Sequence, residues 1–354
     1  MMRLDPVSIG EWSPRSRRRR VAPLVLVGLG CSLVGMAIAS AGAGASARKS
    51  ARGVAARIAP ASGDYTFTTI DDPADITFNQ LLGVNDLGRI AGYYGSGSSA
   101  SHPNKGYTIS AYAGGTIWLP ENYPGSAQTQ VTGLNDVGEQ VGFWVNAAGD
   151  NYGFWAKRGQ GATNGRYVDV ADPAAAGSTK TTQLLGINNN GVASGFYNDA
   201  KGNSHAFTYS IKSASFTPVV PPGASSAMGT GINDVGDVVG TETNAKGATV
   251  GFLEAGGSFT TISIPGAAST SALGVNDHGQ VVGFYTVGKS TMHGFLWHDG
   301  AFVTINDPHG VSSTTINGTN SLGDIVGFYT DASGNTDGFI GAPTFPGYAN
   351  VPGA

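Results

Sequence analysis

Glu242 is the residue whose chemistry most needs explaining. It stands in Gly240-Thr241-Glu242, where five equivalent segments of the chain carry an aromatic: Tyr94, Trp144, Tyr197, Tyr285 and Tyr329. A carboxylate in place of a ring forfeits apolar burial, which points to a use for the charge. His205, His293 and Asp337 open short segments that fall on the same side of the repeat described below. Carboxylates and imidazoles together can run general acid–base chemistry or hold a divalent cation, and calcium is the ion that oxygen-rich loops suit. Glu242, His205 and His293 are therefore the candidate catalytic groups. The five aromatics offer a second kind of chemistry. Tyr and Trp present a flat apolar face with a polar handle, which suits sugars and peptides; packing between strands is the structural use of the same rings. Asp307 and His309 join them as candidate ligand contacts, from loops that also hold Asp71, Asp72, Glu121 and Asp172. The chain has no Ser-His-Asp order, phosphate loop, dinucleotide fingerprint or His-Glu-x-x-His.

The elements that must position these residues repeat. Gly-x-Asn-(Asp/Asn/Ser)-x-Gly begins at Gly83, Gly133, Gly186, Gly231, Gly274 and Gly318, at spacings of 50, 53, 45, 43 and 44 residues. Each copy reads as the turn of a β-hairpin. Asn at the head of a turn bonds to the backbone ahead of it, and the closing Gly supplies a left-handed residue. Turn capping is thus the ordinary role of Asn85, Asn135, Asn188, Asn233, Asn276 and Asn320; a ring of Asn around an axial cation is the alternative. A second hairpin follows in each period. Its first strand opens with a small or polar residue and then Phe or Tyr, as in His205-Ala206-Phe207, and its second ends at a Pro. Four short strands in roughly 45 residues describe a propeller blade. The last copy stops after its third strand. The missing fourth matches Tyr65 to Pro73, ahead of the first copy. The expected fold is therefore all-β: a six-bladed β-propeller over residues 63–345, closed by an N-terminal strand that completes the C-terminal blade. An open β-solenoid would need no displaced strand.

Composition narrows the classes. Gly supplies 55 of 354 residues, about double the usual share of roughly 7%, which argues against a helical bundle. The net charge of −4 hides an asymmetry: residues 1–47 hold six Arg against Asp5 and Glu11, so the remainder is more acidic than the whole. Nucleic acid is a poor partner for that remainder. Arg17 to Arg20 precede an uncharged stretch, residues 21–47, that ends in Ala45-Ser46-Ala47. A basic region, an apolar region and a small-residue end read as a secretory signal peptide over 1–47, with a retained anchor as the alternative. Cleavage would leave no stable membrane span and no cysteine, since Cys31 is the only one. Residues 48–62 read as a flexible basic lead-in and 346–354 as a tail.

The turn motif, followed by an apolar strand ending in an aromatic and then by His-(Ala/Gly)-Phe, resembles the HAF-type bacterial extracellular repeat proteins. His205-Ala206-Phe207 carries that motif literally and His293-Gly294-Phe295 nearly so; Lys105, Tyr152, Val250 and Asp337 replace the His elsewhere. The resemblance spans residues 63–341 and implies a secreted or periplasmic repeat protein without implying an activity. The expected function is a non-catalytic module that binds a glycan or protein at the cell surface. A calcium-assisted hydrolase or lactonase and a structural envelope protein are the alternatives.

Overall fold

The computed structural model describes residues 64–112, 115–157 and 167–344. The expected leader, lead-in and tail, and the insertion at 159–165, lie outside the described residues.

Among the described residues there is no helix. After β1 (Tyr65–Thr69), the first sheet holds β2 (Asn79–Val84), β3 (Arg89–Tyr94), β4 (Lys105–Tyr112) and β5 (Gly115–Pro120). The second holds β6 (Gln128–Leu134), β7 (Glu139–Val145), β8 (Asn151–Lys157) and β9 (Tyr167–Val170), and the third β10 (Thr182–Ile187), β11 (Val192–Asn198), β12 (Ser204–Ser210) and β13 (Ser215–Pro218). The fourth holds β14 (Ser226–Ile232), β15 (Val238–Thr243), β16 (Thr249–Ala255) and β17 (Ser258–Ile262). The fifth holds β18 (Ser269–Val275), β19 (Val281–Val287), β20 (Thr291–His298) and β21 (Ala301–Ile305). β22 (Ser313–Thr319), β23 (Ile325–Thr330) and β24 (Thr336–Pro343) follow, and β1 pairs antiparallel with β24 from Tyr65 opposite Pro343 to Thr69 opposite Phe339. All neighbours within these units are antiparallel. A single parallel pair, Met292 with Ser313, joins the fifth sheet to the strands that follow it.

The first strands touch in series: β2 meets β6, β6 meets β10, and so on through β14 and β18 to β22, which meets β2. Glycine makes this approach possible. A Cβ on Gly186 would sit 3.0 Å from the Cα of Gly231, and one on Gly231 would sit 3.1 Å from the Cα of Gly274. The same holds at each first Gly of the motif, ending with Gly318 against Gly83. Six backbones meet there with no room for side chains. Just before these glycines each first strand slips register by a bulge, as between Leu184 and Gly186.

The turns follow the expected chemistry. Each motif Asn accepts, through Oδ1, the backbone N–H four residues on, at 2.8–3.1 Å. The closing glycines are left-handed, with φ from 69° at Gly88 to 94° at Gly236. The core within each sheet is the aromatic of the third strand. Tyr107, Phe154, Phe207, Phe252, Phe295 and Phe339 are all essentially inaccessible to solvent. Each ring lies over a second-strand glycine whose Cβ would collide with it, as Phe207 does over Gly195. The Phe of the repeat is thus the plug of its sheet.

Candidate functional site

The assembly has two ends. At one, the Asn turns converge. The Asn85 amide donates to the carbonyl of Asn135, that of Asn135 to Asn188, and the series runs through Asn233, Asn276 and Asn320 back to Asn85, at 2.9–3.1 Å throughout. Both halves of each amide are therefore used, the oxygen to cap its own turn and the N–H to strap the next sheet. This engagement leaves no Asn group for an axial cation. A second ring lies beside it. The backbone N–H of Asp86 donates to Asp136 Oδ1, that of Asp136 to Asn189, that of Asn189 to Asp234, that of Asp234 to Asp277, and that of Ser321 to Asp86, while the Ser321 hydroxyl donates to Asp277 Oδ2 at 3.3 Å.

The other end is built from the exits of the second and fourth strands, and there the sheets differ. Most of the five aromatics are engaged across the sheet with the residue opposite on the third strand. Tyr197 stacks on His205 at 5.0 Å and Tyr285 leans on His293 at 5.3 Å. Trp144 stacks on Tyr152 at 5.0 Å and on Tyr123 at 4.3 Å, while its Nε1 donates to Asp169. Tyr94 stacks over Tyr107. Tyr329 is buried, with its hydroxyl 2.8 Å from Thr69 Oγ1. These rings serve packing first, and the repeat His is their stacking partner.

Glu242 faces Val250 and Ala227 instead of a ring. It is buried, its Oε2 has no hydrogen-bond partner, and burial raises its carboxyl above the ordinary range. No second titratable group contributes to that shift. His205 Nε2 lies 3.1 Å from Asp199 Oδ2 and holds that carboxyl well below the usual range. His293 Nδ1 lies 3.1 Å from Asn306 Nδ2. The three candidate catalytic groups sit on β15, β12 and β20, in three different sheets; the two histidines are engaged locally, and Glu242 is enclosed among apolar neighbours. Asp307 is buried; its Oδ1 accepts the backbone N–H of His309 and lies 3.0 Å from the His309 ring, while Oδ2 has no partner. Asp72 and Asp172 cap their turns in the same way. Asp71 lies at the end of β1, its Oδ1 accepting the N–H of Gly338. Burial and the carboxylate of Asp337 push it up to about 6. Among the described residues, no three His, Cys, Asp or Glu side chains stand close enough to share a metal ion.

What this end does assemble is a cavity of about 280 Å³ on the axis. Phe78, Phe284, Phe328 and Met292 form an apolar side; Gln80, Gln130, Thr132, Thr230, Thr315 and Asn317 bring amides and hydroxyls; no charged side chain lines it. Gln130 Oε1 and Thr315 Oγ1 are buried there without partners, although Gln130 Nε2 is anchored to Asn104 Oδ1 at 2.9 Å. None of the residues singled out from the sequence lines this cavity. Phe284 and Phe328 directly precede Tyr285 and Tyr329, so strand alternation turns them to the other face. That alternation was the available signal.

No protein-family model matches the chain, and no curated protein matches it. Solved structures do show a likeness. A protein with a provisional gluconolactonase assignment is 14% identical, over 80% of this chain and 93% of that one, at a TM-score of 0.47. The fucose-specific lectin from Aleuria aurantia is 13% identical, over 78% and 98%, at 0.45. AofleA from Arthrobotrys oligospora is 12% identical, over 79% and 83%, at 0.46. The lectin and the first protein are β-propellers. A likeness this distant says nothing about a ligand, and the all-β architecture rests on the chain's own strand pairing.

Proposed function

We propose that the chain is an exported repeat protein of the HAF type, a closed six-bladed β-propeller that works as a non-catalytic binding module for a neutral glycan at the cell surface. The pairing of β1 with β24 and the return of contacts from β22 to β2 support six blades and closure. The observation that carries the function is the axial cavity. Its volume lies near the small end of ligand pockets, which run from about 300 to 1,000 Å³. One apolar wall faces a set of neutral hydrogen-bonding groups, and two of those groups have no partner. A sugar ring has the matching faces, with hydroxyls at its edge and C–H groups on its plane. A carboxylated or phosphorylated sugar would enter with no cation to meet it, at a large desolvation cost.

A glycan array with neutral and acidic termini tests this reading, followed by calorimetry on Gln130→Leu. Neutral termini are expected to bind and acidic ones to stay silent. Gln130→Leu should weaken binding about tenfold, the worth of one buried hydrogen bond to a neutral group. Silence across all neutral classes by a folded protein would sink the proposal. Among the described residues, the candidate catalytic groups Glu242, His205 and His293 lie in three separate sheets, which does not favour the hydrolase alternative.

A further inference from the structure

Two groups in the axial cavity are buried without partners, and one of them cannot be turned over. Thr315 Oγ1 belongs to a hydroxyl, which rotates and so either donates or accepts. Gln130 Oε1 belongs to an amide, whose two ends have opposite roles. Which end of that amide meets the cavity is decided two links away, by a backbone carbonyl. The carbonyl of Gly95 accepts the side-chain N–H of Asn104. A carbonyl has no hydrogen to give, so Asn104 must turn its nitrogen to Gly95 and its Oδ1 to Gln130. Gln130 must then answer with Nε2, at 2.9 Å, and its Oε1 is left on the cavity wall as an acceptor.

The relay is firmly seated. Asn104 is buried; its backbone N–H donates to Gln128 Oε1 and its carbonyl accepts the N–H of Thr129, which straps it to β6, the strand of Gln130. Gly97 makes room for it: φ is 66° there, and a Cβ would stand 2.9 Å from both ends of the Asn104 amide. The arrangement recurs one repeat on. Gln183 Nε2 donates to Asn151 Oδ1 at 3.1 Å, Asn151 Nδ2 donates to the carbonyl of Gly149 at 3.0 Å, and Gln183 Oε1 again has no partner. In the other four repeats the places of Asn104 and Asn151 are held by Ser204, Thr249, Met292 and Thr336, and the facing places by Met228, Ser271, Thr315 and Gln80. Asn thus occurs only opposite a Gln. Gln80, which lacks the Asn, instead accepts the Tyr93 hydroxyl at 2.8 Å, a partner that could serve either end of an amide.

We propose, resting on the glycan reading above, that the cavity selects a sugar hydroxyl that donates a hydrogen bond to Gln130 Oε1, and that Asn104 is the positioning residue that sets this demand. Methyl glycosides of the neutral hexoses and their monodeoxyfluoro forms, titrated by NMR, test it. Fluorine replaces a hydroxyl at similar size but has no hydrogen to donate. In the wild type, fluorine at one ring position should weaken binding about tenfold, the worth of one buried hydrogen bond. Asn104→Leu frees the Gln130 amide to turn over, so the penalty at that position should disappear. Asn104→Asp still offers Gln130 Nε2 an oxygen and should keep the penalty. If Asn104→Leu does not fold, Gln130→Met carries the test: it has similar length and no acceptor, and the penalty should again disappear. A penalty that survives Asn104→Leu or Gln130→Met, or that Asn104→Asp also loses, would overturn the proposal. Hexosides that bind with no position sensitive to fluorine would overturn it too, and would leave the glycan reading standing. Silence of the folded protein toward every hexoside would remove the glycan reading itself, and this proposal with it.

Discussion

The two ends of this molecule are made from the same repeat and obey different rules. At the turn end, six turns present the same Asn, the same left-handed Gly and the same amide-to-carbonyl link to the next turn. At the other end the equivalent positions hold Tyr, Trp or Glu, paired with Lys, Tyr, His, Val or Asp. Uniformity there reflects geometry, because each turn must meet its neighbour in one way. Variety here is tolerated because the loops meet solvent and a cavity. The lesson is that repetition marks the scaffold, and that the most conspicuous departure need not mark a site: Glu242 breaks the pattern yet stands apart from the axial cavity.

Four experiments would break or sharpen this contrast. The largest effect is expected at the axis. Gly186→Val would push its side chain into Gly231 and the Thr230 carbonyl, 3.0 and 3.2 Å from the first carbon alone, and should cost about 3 kcal/mol by denaturant titration. A change under 1 kcal/mol would mean that the inner strands are not closely packed. Next is the strap. Asn188→Ala removes both the cap and the link to Asn233 and should cost about 2 kcal/mol, while Asn188→Asp keeps the cap and should cost about 1. Equal costs would show that the link between sheets contributes nothing.

At the variable end, Glu242→Tyr restores the common ring and removes a buried carboxyl, so stability should rise by about 1 kcal/mol with glycan binding unchanged. Loss of binding would return Glu242 to the site. The smallest effect concerns pH. Asp71 has its folded value raised to about 6 from an ordinary 3.8. A raised carboxyl costs the folded state stability only as it ionises, so that loss is absent below pH ~4 and grows as pH rises through 6. The melting temperature of wild type relative to Asp71→Asn should therefore fall between pH 4 and 7. A flat difference would mean that Asp71 is neither buried nor close to the Asp337 carboxylate.

Much of the scaffold was legible in the sequence. The Gly-x-Asn spacing located the hairpins, the Pro exits located the fourth strands, and the likeness of Tyr65–Pro73 to the other exits located the partner of β24. The role of the first Gly is not legible, although it recurs in all six copies, because its contact is with another part of the chain and no local pattern reveals that. The capping role of the Asn is legible in the motif; their amide links to the next turn are hidden for the same reason. The cavity was missed by one residue per strand. Tyr285 and Tyr329 are the conspicuous aromatics of these strands, whereas Phe284 and Phe328, one step earlier, line the cavity. Its polar members, such as Gln130 and Thr315, come from first strands whose inward side is not apolar, so hydropathy does not mark them.

The pairing of β1 with β24 also has a consequence for synthesis. Residues 65–69 leave the ribosome long before residues 336–343 exist, so the earliest strand to emerge is among the last to find its neighbour. Until then the growing chain exposes two unsatisfied strand edges, the kind of surface on which chains associate wrongly. Premature termination before residue 339 would leave that edge bare for good, so such truncated products should be lost to aggregation or proteolysis rather than persist as shorter functional forms.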